Sequence, residues 1–189
     1  MSYLERRRFL WILFFTGLAL LAVTLAAHST TLTRLQFAEL AQESTAVARL
    51  RCLSSESLWE RGEIWTETRL EVLEVEKGLL PRLVTVRMVG GSAGHFHSRV
   101  DGVPVFRPGA EVYLFLWGRE GEAYSVLGWS QGTFRVAKNP RTGAETVTQD
   151  SAAMPVFDPQ TREFRREGMR NLPVTNFREK LHNALKRKP

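Results

Sequence analysis

The spacing of apolar residues predicts a chain made mainly of β-strands. Apolar and polar positions alternate over Ala46–Leu53 and again over Glu63–Glu76, which is the period of a strand with one buried face. The alternation slips at Leu73, because Val75 is apolar where a polar residue is due, and this slip predicts a β-bulge. The segment Ser54–Gly62 between the two strands is mostly polar and is predicted to be a turn.

Later in the chain, one strand is apolar on both faces. Within Ala110–Trp117, every residue from Val112 onwards is apolar, so this strand is predicted to be the central one, covered on both sides. The segment Val89–Pro108 is rich in glycine and proline and is predicted to be a surface loop. The same patterns predict a short helix over Leu35–Glu43, strands near Val84–Met88, Ala123–Leu127 and Thr133–Val136, and extended segments around the Asn139–Gly143 turn.

The N-terminal segment Phe9–Ala27 contains no charged residue. As a helix it would reach about 28 Å, enough to cross the hydrocarbon core of a bilayer. Three arginines precede it against a single glutamate, which keeps that flank in the cytoplasm. We therefore expect a basic cytoplasmic flank over residues 1–8, an uncleaved transmembrane signal-anchor over residues 9–28 and an exported domain over residues 34–149. A cleaved signal peptide is the alternative.

Composition and charge narrow the description of the exported part. About 160 residues follow the apolar segment, enough for one domain with a core of its own. Cys52 is the only cysteine, so the chain cannot form an internal disulfide. Within the basic tail over residues 150–189, the formal net charge of +6 lies in Thr161–Pro189, where nine arginines and lysines stand against three glutamates.

A basic amphipathic helix is predicted to begin at Leu172 in this tail. Its apolar stripe is narrow, so we expect the helix to dock on a partner and not to form part of the barrel. Trp65 falls on the polar face of its strand and is a further candidate contact. The predicted contact residues are Trp65, Phe177, Arg178, Leu181, Leu185, Lys186, Arg187 and Lys188. The expected partner is an envelope protein or anionic lipid, and export argues against nucleic acid.

Two histidines form the sharpest candidate for chemistry. His95 and His97 are two residues apart, so on a strand they would share a face and could hold one metal ion, with Asp101 or a glutamate as third ligand. The alternative is a pair of solvated loop histidines. No catalytic motif and no phosphate-binding loop occurs in the sequence, so no catalytic residue and no cofactor is expected.

Three motifs carry a resemblance to a known group of folds. They are LEVLEVEKG at Leu70–Gly78, VTVRMVGG at Val84–Gly91 and FRPGAEVYLFL at Phe106–Leu116. This run resembles the exported OB-fold barrels of the netrin-like and tissue-inhibitor-of-metalloproteinase type, and a family of uncharacterised bacterial exported proteins. The resemblance implies a small OB-like barrel of five to seven strands. The inhibitors use an N-terminal cysteine and disulfides, which this chain lacks, so their mechanism is not implied.

Together these observations predict a mainly β protein with an N-terminal transmembrane helix and a C-terminal amphipathic helix. We expect a membrane-anchored, non-catalytic accessory or interaction protein of the bacterial inner membrane, with its C-terminal domain in the periplasm or outside. One alternative is a cleaved, secreted ligand-binding or protease-inhibitor-like module. Another is a metal-binding enzyme that uses His95 and His97.

Overall fold

The computed structural model describes residues 32–186 of the chain. The predicted anchor Phe9–Ala27 and the predicted contact residues Arg187 and Lys188 lie outside the described residues. Within residues 32–186, no helix is both long enough and apolar enough to cross a membrane.

The described residues are mainly strand, as predicted, with one short helix near each end. The helices are α1 (Phe37–Glu43) and α2 (Val174–Lys186). The strands are β1 (Ala46–Glu60), β2 (Glu63–Lys77), β3 (Leu83–Val89), β4 (Gly91–Ala93), β5 (Phe96–Ser98), β6 (Glu111–Trp117), β7 (Ser125–Val126), β8 (Thr133–Lys138), β9 (Glu145–Gln149), β10 (Val156–Asp158), β11 (Glu163–Arg165) and β12 (Leu172–Pro173). Single 3-10 turns cover Trp129–Gly132 and Asp150–Ala153.

One antiparallel sheet dominates the domain. Its strands follow the order β12-β9-β8-β6-β1-β2-β3, and β7 adds to β6. The order has two ends, at β3 and β12, so the strand ladders do not close the sheet into the barrel that the sequence predicted. β12 belongs to the basic tail and pairs with β9 through Leu172 and Val147, so the tail contributes directly to the main sheet.

The ribbon formed by β1 and β2 is longer than the sequence predicted. β1 continues to Glu60, and only Arg61 and Gly62 turn the chain, so the polar turn expected over Ser54–Gly62 is wrong. Both turn residues have positive φ, 51° and 89°, as a two-residue hairpin turn requires. The strand extends because its serines find hydroxyl partners across the ribbon, at Thr66 and Thr68.

The predicted bulge in β2 is confirmed. Leu50 lies opposite Val72 and Arg49 lies opposite Glu74, so Leu73 is the extra residue. An extra residue increases local twist and bends the strand. The ribbon therefore curves over the first of two cores.

The central strand is also confirmed. All residues of β6 from Val112 to Leu116 are buried, and the strand lies between β1 and β8. Alternate side chains enter two separate clusters. The first core contains Leu50, Leu70, Val86, Val112, Leu114 and Leu116, and the second core contains Leu40, Val47, Tyr113, Phe115, Phe134, Phe177 and Leu181.

The second core exists because α1 and α2 cover one face of the sheet. The Phe177 ring lies 4.9 Å from Tyr113 and 5.1 Å from Phe134, measured between centroids. Phe177 and Leu181 are fully buried, and Leu185 packs against the same cluster. The helix was predicted to present this stripe to a partner. Instead, the stripe packs on the aromatic face of the sheet, where burial of its apolar surface stabilises the folded domain.

Ion pairs connect α2 to β2. Arg178 contacts Glu74 and Glu76 of β2, and His182 Nε2 lies 2.7 Å from Glu76 Oε2. The Arg178 charge is therefore paired within the domain. Of the predicted basic contacts, Lys186 is exposed at the end of the helix.

A second ion-pair cluster lies on the same face of the sheet. Arg49 donates hydrogen bonds to Glu111 and Glu145, and Arg51 donates to Glu111. The hydrogen bond from Arg49 holds the pKa of Glu145 below its ordinary value of 4.5. Burial acts to raise the pKa of Glu111, but the hydrogen bonds from Arg51 and Arg49 outweigh it and lower that pKa too.

These shifts predict a loss of stability in acid. Because the pKa values of Glu111 and Glu145 are lower in the folded chain, their contribution is complete above the unfolded value and is lost as the pH falls through the folded values. We expect the free energy of unfolding, measured by urea titration, to decrease between about pH 5 and about pH 3. Arg49→Gln should flatten this dependence. An equally steep dependence in that variant would contradict the assignment.

Candidate binding groove

One face of the β1–β2 ribbon changes from apolar to hydroxyl-bearing along its length. Near the base, Cys52 pairs with Leu70 in the first core. Beyond the base, Ser55 pairs with Thr68 and then Ser57 pairs with Thr66. The hydroxyl oxygens of these pairs are 3.0 and 2.8 Å apart. This hydroxyl ladder leads to Trp59 at the tip of the ribbon, because side chains two residues apart share a face.

The segment after β3 lies against this ladder. It was predicted to be irregular, but it contains the short hairpin β4–β5. The Gly90 amide donates to the Ile64 carbonyl at 2.7 Å, and Thr66 Oγ1 donates to the Gly90 carbonyl at 2.6 Å. A Cβ atom on Gly91 would lie 2.2 Å from Ser57 Oγ, and the φ of Gly91 is 128°. Only glycine allows the hairpin to approach the ribbon so closely.

A groove of about 710 Å³ opens between the ribbon and the segment that follows β3. The hydroxyl ladder forms one wall, and Ser92, His97, Ser98, Arg99 and Asp101 bring polar groups to the other side. Apolar lining comes from Met88, Val100, Val103, Pro104, Val105, Phe106 and Met154. A concavity that combines apolar lining with convergent polar groups has the usual form of a small-molecule site.

Two aromatic side chains stand exposed where the ribbon and the β4–β5 hairpin meet. Trp59 is 54% exposed and Phe96 is 64% exposed, and their ring centroids are 5.2 Å apart. We call this pair the aromatic tip. Ser57 and Ser98 line the groove, and they lie two residues from Trp59 and Phe96 on the same strands and therefore on the same faces. Large apolar groups held in water at the edge of a cavity are typical of a contact surface.

The structure does not place the two predicted histidines on one strand face. His95 lies in the turn between β4 and β5, whereas His97 lies on β5, so the two do not share a strand face. His97 Nδ1 is 2.8 Å from Ser92 Oγ. Among residues 32–186, no group of three histidine, cysteine or acidic side chains is placed to hold a metal ion. Ser92 and His97 thus form a serine–histidine contact, and a catalytic pair of this kind needs a third group that orients the imidazole.

Trp65 lies on the face of the ribbon opposite the aromatic tip. It is half-buried, and the guanidinium carbon of Arg87 lies 4.8 Å from the centroid of its ring. A cation over an aromatic face stabilises both groups. Trp65 is therefore covered by its own domain, while Trp59 is the more exposed tryptophan of the ribbon.

The sequence did not single out the residues that build this site. Ser55, Ser57 and Trp59 fell in a segment predicted to be a turn, and Phe96 was hidden between the two histidines. A usable signal was present, because Ser55, Ser57 and Trp59 continue the two-residue period that runs through Thr66 and Thr68 on the next strand.

The comparisons with known proteins add no relative to this picture. No family model, no curated protein and no solved structure matches the chain.

Proposed function

We propose that this protein is a membrane-anchored, envelope-facing binding protein without catalysis, and that it serves as an accessory or interaction subunit. The observation that carries the proposal is the groove beside the aromatic tip. A cavity of this size next to two exposed aromatic rings provides both a binding volume and a contact surface.

The cellular placement rests on the N-terminal sequence. The uncharged segment Phe9–Ala27 follows an arginine-rich flank, which favours a single-pass anchor in the bacterial inner membrane with the folded domain in the periplasm or outside. Protein partners of the envelope are the expected binding class. Anionic lipid is a further expected contact near the end of α2, where Lys186 is exposed and Arg187 and Lys188 follow.

We also infer an OB-like arrangement around the first core. Support comes from the order β3-β2-β1-β6-β7 within the main sheet. The Tyr124 amide donates to the Thr85 carbonyl, and the Arg87 amide donates to the Tyr124 carbonyl, each at 2.8 Å. These bonds form one parallel bridge between β3 and the residue before β7. An OB-fold is likewise a five-stranded barrel that is partly open.

The contact role of the aromatic tip can be tested in native membranes. A photo-crosslinking amino acid in place of Trp59 should give a covalent adduct with a neighbouring molecule. The same substitution at Trp117, also exposed but distant in sequence and pairing, is the control. Equal adducts at both positions, or none at position 59, would refute the tip as the contact surface.

The anchor is tested separately. The protein should stay in the membrane pellet after a carbonate wash, and mass spectrometry should find Met1 or Ser2 at its N-terminus. A soluble form that begins near His28 or Thr30 would replace the anchored protein by a cleaved, secreted binding module.

A further inference from the structure

We propose that the groove binds an uncharged oligosaccharide, with the aromatic tip stacked on one sugar ring. The inference rests on the proposed function, because it names the ligand class of the same site. Four features of the groove point to this ligand: its size, its hydrogen-bonding groups, its charge and the aromatic rings at its edge.

The size of the groove suits a short chain of sugar rings. Sites for small organic ligands occupy about 300–1,000 Å³, and this groove has about 710 Å³. It is bounded on one side by a β-ribbon and on the other by a hairpin and the chain that follows it. A ligand longer than one ring could therefore run along the hydroxyl ladder towards the aromatic tip.

The hydrogen-bonding groups are predominantly uncharged hydroxyls. Thr66 has one hydroxyl proton and donates it to the Gly90 carbonyl, so Ser57 must be the donor to Thr66. The Ser57 oxygen then keeps lone pairs that can accept. On the other side, one nitrogen of His97 is engaged with Ser92, which leaves Nε2 for a ligand. A sugar hydroxyl both donates and accepts, so it matches such a mixed wall better than a carboxylate or phosphate does.

Charge in the groove is largely compensated. Arg99 Nε lies 3.7 Å from Asp101 Oδ1. The guanidinium of Arg135 lies 5.9 Å from the ring centroid of the lining residue Phe106, and it donates hydrogen bonds to Asp150 and to the Val105 carbonyl. Among the charged lining residues, Arg107 is the one for which the described part of the chain shows no ion pair. One uncompensated and exposed arginine is a weak anion site in water, so an uncharged ligand is favoured.

The aromatic tip supplies what a polar wall lacks. One side of a pyranose ring presents C–H groups, and an exposed indole ring offers a flat apolar surface of matching size. Trp59 is held in place by Phe96, so little side-chain freedom is lost when a ligand stacks on it. The pair would bind sugars through the ring face while the hydroxyl ladder binds through hydrogen bonds.

The test uses the full-length protein in a zwitterionic detergent without a sugar headgroup. Maltotriose, cellotriose and the fully N-acetylated chitotriose, all uncharged, are titrated separately, and tryptophan fluorescence and calorimetry report binding. We expect at least one trisaccharide to bind with a Kd below about 1 mM. Trp59→Ala should weaken that binding at least about tenfold, whereas Trp117→Ala should leave it unchanged. Equal melting temperatures would show that both variants are folded.

Every other outcome overturns the proposal. No binding of the three trisaccharides would exclude an uncharged sugar site, and unchanged binding in Trp59→Ala would place the site elsewhere. Binding of an uncharged trisaccharide that falls steeply with added salt would show that a charged group such as Arg107 carries the affinity, and would overturn the proposal. If crosslinking at position 59 captures a protein while no sugar binds, the proposed function stands and the saccharide inference fails.

Discussion

Replacing Phe177 by alanine should lower the free energy of unfolding by about 3–5 kcal/mol. The side chain is fully buried and lies against aromatic rings from three elements, Phe37 of α1, Tyr113 of β6 and Phe134 of β8. Its removal would leave a cavity lined by rigid rings, which cannot easily collapse to fill it. It would also loosen α2 from the sheet.

Urea denaturation followed by circular dichroism measures this effect. Asn183→Ala is the matched control, because Asn183 is exposed on the same helix and alanine favours helix formation. The control should change stability by less than about 0.5 kcal/mol. If Phe177→Ala were as mild as the control, α2 would not be part of the core.

Removal of residues 172–189 should likewise unfold the domain, and a folded truncated domain would restore the interpretation of α2 as an external contact helix.

Leu114→Ala should cost about 2–5 kcal/mol. Leu114 is fully buried in the middle of β6, opposite Ala48 of β1 and Thr133 of β8. The substitution removes apolar contacts from the first core and creates a cavity between strands that other ladders hold in place. We expect a lower midpoint in urea with an unchanged slope.

Leu79→Ala is the control for this second experiment. It is the same chemical change at a side chain that is 88% exposed. A surface site of this kind should alter stability by less than about 0.5 kcal/mol. Comparable losses in both variants would mean that burial at position 114 is not the source of the effect.

Local patterns predicted those elements whose signals do not depend on distant partners. The apolar run of β6 implied cover on both faces, and the slip at Leu73 implied a bulge, because both follow from strand geometry alone. The amphipathic helix α2 was also located. What its stripe contacts could not be predicted, since a narrow stripe has the same appearance whether it meets another protein or the chain's own sheet.

The groove was harder to predict for a different reason. Ser55 and Ser57 extend β1 because Thr68 and Thr66 lie opposite them, and such pairing depends on register. Gly91 fits against Ser57 only once the β4–β5 hairpin has formed. Each of these contacts joins segments whose own local patterns are weak. A single stretch of sequence therefore carries little information about the site.

The cover that α2 gives to the second core has a consequence for biosynthesis. Tyr113, Phe115 and Phe134 leave the ribosome well before Phe177 and Leu181, the residues that shield them. The growing chain can assemble the first core early. The aromatic face of the sheet stays exposed to solvent until α2 has been synthesised. A message truncated ahead of Val174 should therefore yield an aggregation-prone product that is degraded, and no working fragment.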